Sequence, residues 1–289
     1  MSDFSRDWLK LREEADLAAR DPALARRFAA ALPASPGRPV RLIDLGAGTG
    51  ANCRALMPRI ARDQDWLLVD RDRGLIAAQE DAFMSWARRQ GYPIRGGGGH
   101  ILIEGRGAWS IESVPLDLSG DAAKLEGLAA DGVTAAAWFD LVSRDWLEAL
   151  AATLALRKLP LLCALTVDGV RRWDPPLAED GILDLAFRRH QSGAKGFGPA
   201  LGPAAPRACV EIFARAGFEV AEGQSDWRLG PREGGLLEAL IAEAARVAIE
   251  VAPGQDPAIR SWEKARTGQL KDGKLSLTVG HRDLLALPR

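Results

Sequence analysis

The stretch VRLIDLGAGTGANCRALMPRI, residues 40–60, constrains the fold more than any other part of the sequence. An apolar run at residues 40–45 leads into glycines at positions 46, 48 and 50, and a helical pattern follows from about Ala51. Glycine at such a junction permits a positive φ or a close approach of the backbone to a ligand, and the free amides of the following helix favour an anionic group. The stretch therefore predicts a strand, a ligand-binding loop and a helix, as in nucleotide-binding α/β proteins.

Strand and helix patterns alternate along most of the 289 residues. Further strands are predicted at residues 65–72, 132–142, 159–169, 218–229 and 274–287, together with a hairpin around the Gly-Arg-Gly turn at 105–107 whose second arm joins the main sheet. Such alternation with short connections predicts a doubly wound, mostly parallel, seven-stranded sheet with helices on both faces. Its ligand is expected outside the carboxyl ends of the strands.

The chain is expected to form one compact unit behind an N-terminal helical cover. Residues 5–32 have a helical pattern, and the Pro- and Gly-rich stretch that follows ends the cover near residue 38. Residues 39–289 then form the main domain, with insertions at about 96–112, 171–204 and 232–266; the last is helical and precedes the final strand.

Composition narrows the possible partners. The formal net charge is −1 and the basic residues are dispersed, so neither nucleic acid nor an anionic membrane is an expected partner. The charged N-terminus lacks the apolar core of a signal peptide, which favours a cytoplasmic protein. Three histidines and three cysteines (Cys53, Cys163 and Cys209) show no metal-ligand spacing, so no metal site is expected and the thiols are predicted to be buried and inert.

Two ligands compete for the glycine loop. The pattern G-x-G-x-x-[GA] with Asp70 at a suitable distance fits a dinucleotide, and the same residues fit S-adenosylmethionine. Asp44, two residues before Gly46, favours the second ligand, because a carboxylate there would repel a pyrophosphate but attract an α-ammonium group and a sulfonium.

Three segments carry a family resemblance: LIDLGAGTG, LLVDRD and VPLDLSGD. They resemble the first motif, its acidic successor and the adenine-contacting motif of class I S-adenosylmethionine-dependent methyltransferases. The resemblance spans about residues 40–168, and its most specific match is the first motif. The segment DGVTAAAWFDLV resembles the fourth-strand motif, in which Asp131 opens the strand, and WLKLREEADLAAR resembles the helix that covers the cofactor in many small-molecule methyltransferases.

The resemblance implies a set of residues for the cofactor, S-adenosyl-L-methionine. Asp70 would accept hydrogen bonds from the ribose hydroxyls, with Arg71 beside it, and Asp117 would accept from the adenine amino group, with Leu118 beside it. The methionine end would be held by Asp44, Gly46, Ala47, Gly48 and Gly50. Asp70 and Asp117 are also compatible with simple helix-capping and loop roles.

The acceptor is expected over the ends of the fourth and fifth strands. Trp138, Phe139, Asp168 and Arg172 are the predicted substrate-binding residues, and Asp140 and His190 are the predicted catalytic ones. The free pKa of histidine suits a base near neutral pH, although His190 could equally end a helix. Residues 187–203 are either a mobile lid or an irregular connector.

The function predicted from these residues is transfer of a methyl group to a small-molecule acceptor. No NPPY-like tetrapeptide or PC dipeptide indicates nucleic-acid methylation. A protein that binds S-adenosylmethionine or S-adenosylhomocysteine without turnover stays open, and an NAD(P)-dependent oxidoreductase is disfavoured by Asp44 and by the absence of a Tyr-x-x-x-Lys pair. The chemistry of the acceptor and the oligomeric state are not decided by the sequence.

Overall fold

A single ten-stranded sheet forms the centre of the molecule. The computed structural model describes residues 5–34, 37–119, 122–191 and 196–289. In spatial order the strands run β3-β4-β5-β2-β1-β6-β7-β10-β8, and β9 pairs with β10. The strands are β1 (Val40–Leu45), β2 (Gln64–Asp70), β3 (Ile94–Gly97), β4 (His100–Glu104), β5 (Ala108–Pro115), β6 (Gly132–Ala136), β7 (Leu161–Asp174), β8 (Phe218–Gln224), β9 (Trp227–Leu229) and β10 (Ser276–Pro288).

Helices of very different length connect these strands. They are α1 (Arg6–Ala19), α2 (Pro22–Ala31), α3 (Ala51–Leu56), α4 (Arg73–Ala77), α5 (Gln79–Gln90), α6 (Arg144–Leu156), α7 (Asp180–Gln191), α8 (Ala205–Arg215), α9 (Gly234–Val251) and α10 (Asp256–Lys271).

The prediction of a seven-stranded sheet was wrong in the number of strands. The five neighbours β5, β2, β1, β6 and β7 are parallel, whereas β10 is antiparallel to both β7 and β8. The extra strands come from the glycine-rich turn at residues 98–99, which adds the β3–β4 hairpin to one edge, and from the short β9. The parallel part still places the carboxyl ends of five strands along one edge.

Hydrophobic clusters cover both faces of the sheet. Along β1, Leu42 faces a cluster with residues of α2, α3 and α5, whereas Ile43 and Leu45 face a cluster with residues of α6 and α8. This alternation follows the two-residue period of a strand, and burial on both faces explains why β1 is almost uniformly apolar. Asp44 shares the parity of Leu42 and is fully buried.

The N-terminal pattern forms two helices and not one. Asp21 accepts hydrogen bonds from the amides of Ala23 and Leu24, and Pro22 occupies the first turn of α2. Proline at this position and an aspartate cap both favour a new helix start, so the chain turns between α1 and α2. The Asp21 amide donates to Asp283 Oδ2 over 2.8 Å, which ties this turn to β10.

A third cluster joins the helical insertion to the rest of the molecule. α7, α9 and α10 pack with Trp173, Trp227 and Leu277, which lie on three different strands. The fully buried Arg266 of α10 donates to Asp180 of α7 and to the carbonyl of Pro175. β7 continues to Asp174, so the first residues of the insertion predicted at 171–204 belong to the sheet.

Two further findings concern expected absences. No helix within the described ranges combines the length and apolar character needed to cross a membrane. The three cysteines are free and buried, as predicted.

Candidate functional site

The glycine loop after β1 is shaped by two aromatic side chains. Gly46, Gly48 and Gly50 all have positive φ, at 61°, 54° and 83°. A Cβ at Gly46 would lie 2.7 Å from Cδ1 of Trp138, and one at Gly50 would lie 2.5 Å from Cε2 of Phe83. Both positions therefore require glycine for conformation and for space.

The loop forms one wall of a cavity of about 180 Å³, the first cavity. The other walls come from α1, from the segments after β2 and β5, and from the segment after β6. Of the predicted cofactor residues, seven line this cavity: Gly46, Ala47, Gly48, Asp70, Arg71, Asp117 and Leu118. The structure therefore brings together residues from three separate motifs at the carboxyl ends of neighbouring strands.

Asp70 joins the end of β2 to the glycine loop. Its Oδ2 accepts from the Gly48 amide over 2.7 Å, and its Oδ1 accepts from the Asp72 amide over 2.9 Å. Burial raises the pKa of this carboxyl group, and the two backbone amides oppose that shift. Each oxygen retains a second lone pair, so the carboxylate can hold the loop and still accept hydrogen bonds from a ligand.

Asp44 lies behind the cavity wall instead of lining it. Its Oδ1 accepts from Asn52 Nδ2 over 2.5 Å and from Thr134 Oγ1 over 2.8 Å, and its buried Oδ2 has no hydrogen-bond partner in the part of the chain that the structure describes. Burial raises the pKa of Asp44 to about 6, against the opposing effects of Asn52 and Thr134. We predicted that Asp44 contacts the ligand directly, but Asp44 does not line the cavity. Its carboxylate instead orients Asn52, which does line the cavity.

Gly50 is also absent from the cavity wall, because it packs against Phe83 and caps α3. Thr49, which lies between Gly48 and Gly50, lines the cavity instead.

Arg20, at the end of α1, is a cavity residue that sequence reasoning missed. Its Nη1 donates to Asn52 Oδ1 over 2.7 Å, while its buried Nε has no acceptor among the described residues. Burial lowers the pKa of the guanidinium, and nearby carboxylates, Asp16 first, oppose the shift. No motif marks this position, since its place in the cavity depends on the turn that follows at Asp21.

Asp117 and Leu118 follow β5 at the far side of the first cavity. Asp117 is exposed and its Oδ1 accepts from the Ser119 amide over 2.8 Å. Hydrogen bonding to the Ser119 side chain, and then to its amide, lowers the pKa of the Asp117 carboxyl group. The Leu118 carbonyl accepts from Trp146 Nε1 over 2.7 Å, so the position of this segment is set by α6.

Trp138 separates the glycine loop from an aromatic cluster. Its ring meets Trp146 and Phe197 edge to face, with centroids 5.0 Å and 5.4 Å away. Trp138 and Phe197 both line the first cavity. Phe139, its neighbour and another predicted substrate residue, instead lies fully buried in the core below α6.

A second cavity of about 360 Å³ adjoins the first. Three residues line both: Arg12 of α1, and Ala137 and Leu141 after β6. Ala137 has a φ of 51°, a conformation that costs a non-glycine residue energy and that recurs at functional sites. Asp140 and His190, the predicted catalytic residues, both line the second cavity.

His281 of β10 also lines the second cavity and was not predicted. Its Nδ1 lies 3.0 Å from the Val279 carbonyl. A carbonyl only accepts, so Nδ1 carries the proton and Nε2 retains its lone pair. Burial lowers the pKa of His281 to about 4, so the ring is neutral at neutral pH.

The register of β7 decides which of its polar residues reach the second cavity. Val167 and Arg171, which share a parity, line it, whereas Asp168 and Arg172 do not. Asp168 instead accepts from the Val170 amide over 3.0 Å and pairs with Arg282. Asp168 and Arg172, the predicted substrate-binding residues, therefore lie on the other face of β7, each one residue along from a residue that lines the cavity.

Part of the predicted lid, residues 192–195, lies outside the described residues. In the part that follows, the Leu201 amide donates to the Val142 carbonyl over 2.8 Å, and Pro203 packs on Gly169. Of this segment, Phe197 lines the first cavity. Asp131 lies at the opposite edge of the sheet, where it pairs with Arg38.

No family model matches this chain, and no curated protein matches it. Several solved structures are similar to it. One is a putative type II methyltransferase from Anaeromyxobacter dehalogenans, with 17% identity, a TM-score of 0.49, and coverage of 92% of this chain and 97% of that chain. Another is a cyclopropane synthase from Mycobacterium tuberculosis, with 14% identity, a TM-score of 0.44, and coverage of 99% and 87%.

A third is phosphoethanolamine N-methyltransferase 2 from Haemonchus contortus, in complex with S-adenosyl-L-methionine. It shares 13% identity at a TM-score of 0.44, and the match covers all of this chain but only 58% of that one. The chain is similar to these three solved structures at identities of 13–17%, and two of the three are named as methyltransferases.

Proposed function

We propose that the protein is an S-adenosylmethionine-dependent methyltransferase that acts on a small-molecule acceptor. The observation that carries the proposal is the pair of adjoining cavities. The first is built from the glycine loop and the acidic residue at the end of β2, and the second holds polar side chains on the other side of Arg12, Ala137 and Leu141.

The residues of the first cavity fit the cofactor. The unpartnered Nε of Arg20 offers a buried cation for the methionine carboxylate, with Asn52 beside it. Asp70 would accept from the ribose hydroxyls, and Asp117 from the adenine amino group. Glycine at position 46 leaves room for the Trp138 ring, and glycine at 48 keeps the wall beside Leu9 open.

When bound, S-adenosylmethionine supplies a methyl group on a positively charged sulfur, which departs as a neutral thioether when the acceptor attacks. The protein then has to align the acceptor, exclude water and, for an acidic acceptor group, receive its proton. Asp140, His190 and His281 all line the second cavity, and we expect each of them to accept a hydrogen bond from the acceptor. Trp8 and Trp227 supply apolar walls.

The first experiment is a calorimetric titration with S-adenosylmethionine, S-adenosylhomocysteine and NADH. We expect both sulfur ligands to bind, and Asp70→Ala to weaken them at least ~10-fold because a carboxylate partner of the ribose is lost. Asp131→Ala, at the opposite edge of the sheet, is the control and should bind as the unchanged protein does. Binding of NADH alone would overturn the proposal.

Transfer is tested separately by incubating the protein with S-adenosylmethionine and a panel of small acceptors and measuring S-adenosylhomocysteine. Formation above the rate without acceptor supports an enzyme. Tight binding without transfer to any acceptor would indicate a protein that binds S-adenosylmethionine without turnover.

A further inference from the structure

Arg171 is a partly buried cation that lines the second cavity. Its Nε and Nη2 atoms are buried and have no hydrogen-bond acceptor among the residues that the structure describes. Within the described ranges no carboxylate forms an ion pair with it, although Glu243 and Asp184 act on it at longer range. An arginine stays charged in proteins, so this guanidinium has a positive charge and two buried donor nitrogens, Nε and Nη2, that no hydrogen bond uses within the described ranges.

The surroundings hold the guanidinium in one orientation. Its carbon lies 4.2 Å from the centroid of the Phe187 ring and 5.7 Å from that of Trp173. Its backbone is fixed opposite Val279 in the β7–β10 ladder. Stacking on an aromatic face leaves the edge of the guanidinium available, and that edge is the part that binds a planar anion through two parallel hydrogen bonds.

Leaving such a group unpaired is costly, and replacing it with an apolar residue would have been the simpler solution for stability alone. The cavity that it lines measures about 360 Å³, which is enough for a small ligand. We propose that Arg171 binds the carboxylate of the methyl acceptor, so that the substrate of this protein is a small carboxylic acid. This inference rests on the proposed function, because it takes the second cavity to be the acceptor site.

The charges around Arg171 favour a single negative charge over a double one. Glu243 and Glu250 line the same cavity, while two of its other cations are already paired, Arg12 with Asp16 and Arg246 with Glu250. A carboxylate would match the guanidinium of Arg171, which forms no ion pair within the described ranges, whereas a phosphate monoester would bring a second charge towards acidic side chains.

The test is titration of benzoate, butyrate, benzamide and phenyl phosphate into the full chain, with and without saturating S-adenosylhomocysteine. We expect benzoate or butyrate to bind at least ~10-fold more tightly than the neutral benzamide. Arg171→Met should abolish this preference and Arg171→Lys should reduce it, because lysine keeps the charge but not the fork. Arg228→Met, an exposed arginine on β9, is the matched control and should keep it.

A stability readout separates ligand binding from a structural role. Removing an unpaired buried charge should raise the urea midpoint of Arg171→Met while carboxylate binding is lost. A lower midpoint with unchanged carboxylate binding would overturn the proposal. So would the absence of carboxylate binding to the unchanged protein, or tighter binding of phenyl phosphate than of benzoate.

The two proposals fail in different ways. If the unchanged protein does not bind S-adenosylhomocysteine but still prefers a carboxylate to benzamide, the methyltransferase function is contradicted and the Arg171 site is not. If the protein binds S-adenosylhomocysteine but shows no preference for a carboxylate, only the proposal that the acceptor is a carboxylic acid is contradicted.

Discussion

The buried carboxylate of Asp44 lowers the stability of the folded state by an amount that depends on pH. Its pKa is raised from 3.8 to about 6, so the folded state binds a proton more tightly than the unfolded chain. Below the lower value the group is protonated in both states. Between the two values the folded state loses stability as pH rises, and above the higher one the penalty is complete.

Asp44→Asn removes this titration while keeping the shape of the side chain. We expect the unfolding free energy of the variant, relative to the unchanged protein, to increase between pH 4 and pH 7 by up to ~3 kcal/mol. Urea unfolding at several pH values measures it, with the partly exposed Asp65→Asn as the control. Parallel stability curves for Asp44→Asn and the unchanged protein would show that Asp44 does not carry the predicted shift.

Gly46 separates conformational strain from steric conflict. Gly46→Ala places a methyl group against Trp138 at a φ of 61°, whereas Gly91→Ala, at a φ of 73°, meets nothing within 4 Å. Gly91→Ala should therefore cost about 1 kcal/mol from strain, and Gly46→Ala about 1–3 kcal/mol more from overpacking. Thermal unfolding measures both, and Trp138→Ala should recover part of the difference. Equal losses at the two glycines would contradict the contact with Trp138.

At the scale of elements, Asp283 joins three parts of the chain that are far apart in sequence. Besides the Asp21 amide, it accepts from the Leu165 amide over 2.8 Å, in a stretch of β7 where Leu165 has a φ of 58°. Arg20 immediately precedes this junction. The position of the arginine in the first cavity therefore depends on an aspartate in the last strand.

Asp283→Ala should destabilise the protein by about 2–4 kcal/mol, because two buried amides lose their acceptor. Asp283→Asn, which keeps one acceptor oxygen, should cost less. Urea unfolding compares the two, and hydrogen exchange should show the largest increase at the start of α2. An Asp283→Asn variant that loses as much as Asp283→Ala would indicate that the charge, and not the hydrogen bonds, holds the junction.

Elements whose pattern is local could be predicted well. β1 was predicted with its observed bounds, because an apolar run closed by glycines leaves little choice. The break between α1 and α2 and the early end of β6 at Ala136 depend on a capping aspartate and on the turn at Trp138, which periodicity does not reveal. The motif residues around the first cavity were found from sequence, whereas Arg20, Arg171 and His281 reach the cavities only through tertiary packing.

At the scale of the molecule, α10 of the helical insertion is joined to α7 by an ion pair between the fully buried Arg266 and the partly buried Asp180. Arg266 Nη2 donates to both carboxylate oxygens of Asp180, and Trp262 Nε1 donates to Oδ1 over 2.7 Å. α7 and α9 also supply walls of the second cavity. The insertion is thus part of the candidate site as well as part of the core.

Arg266→Met should lower the unfolding free energy by about 3–5 kcal/mol, because Asp180 is left as a largely buried charge without its arginine partner. The double variant Arg266→Met/Asp180→Leu should lose less than Arg266→Met alone. Chemical denaturation measures the unfolding free energy of both variants and of Asp180→Leu alone. A loss in the double variant equal to the sum of the losses in the two single variants would rule out the ion pair as the link.

β10 has a consequence for the way the molecule is made. It lies between β7 and β8, yet it follows all other strands along the chain. On the ribosome, β7 and β8 are complete long before the strand that joins them, and each presents an edge of unpaired amides and carbonyls. The nascent chain therefore carries an open sheet until β10 (Ser276–Pro288) emerges, and a stop codon just before residue 276 would remove the strand that joins β7 to β8.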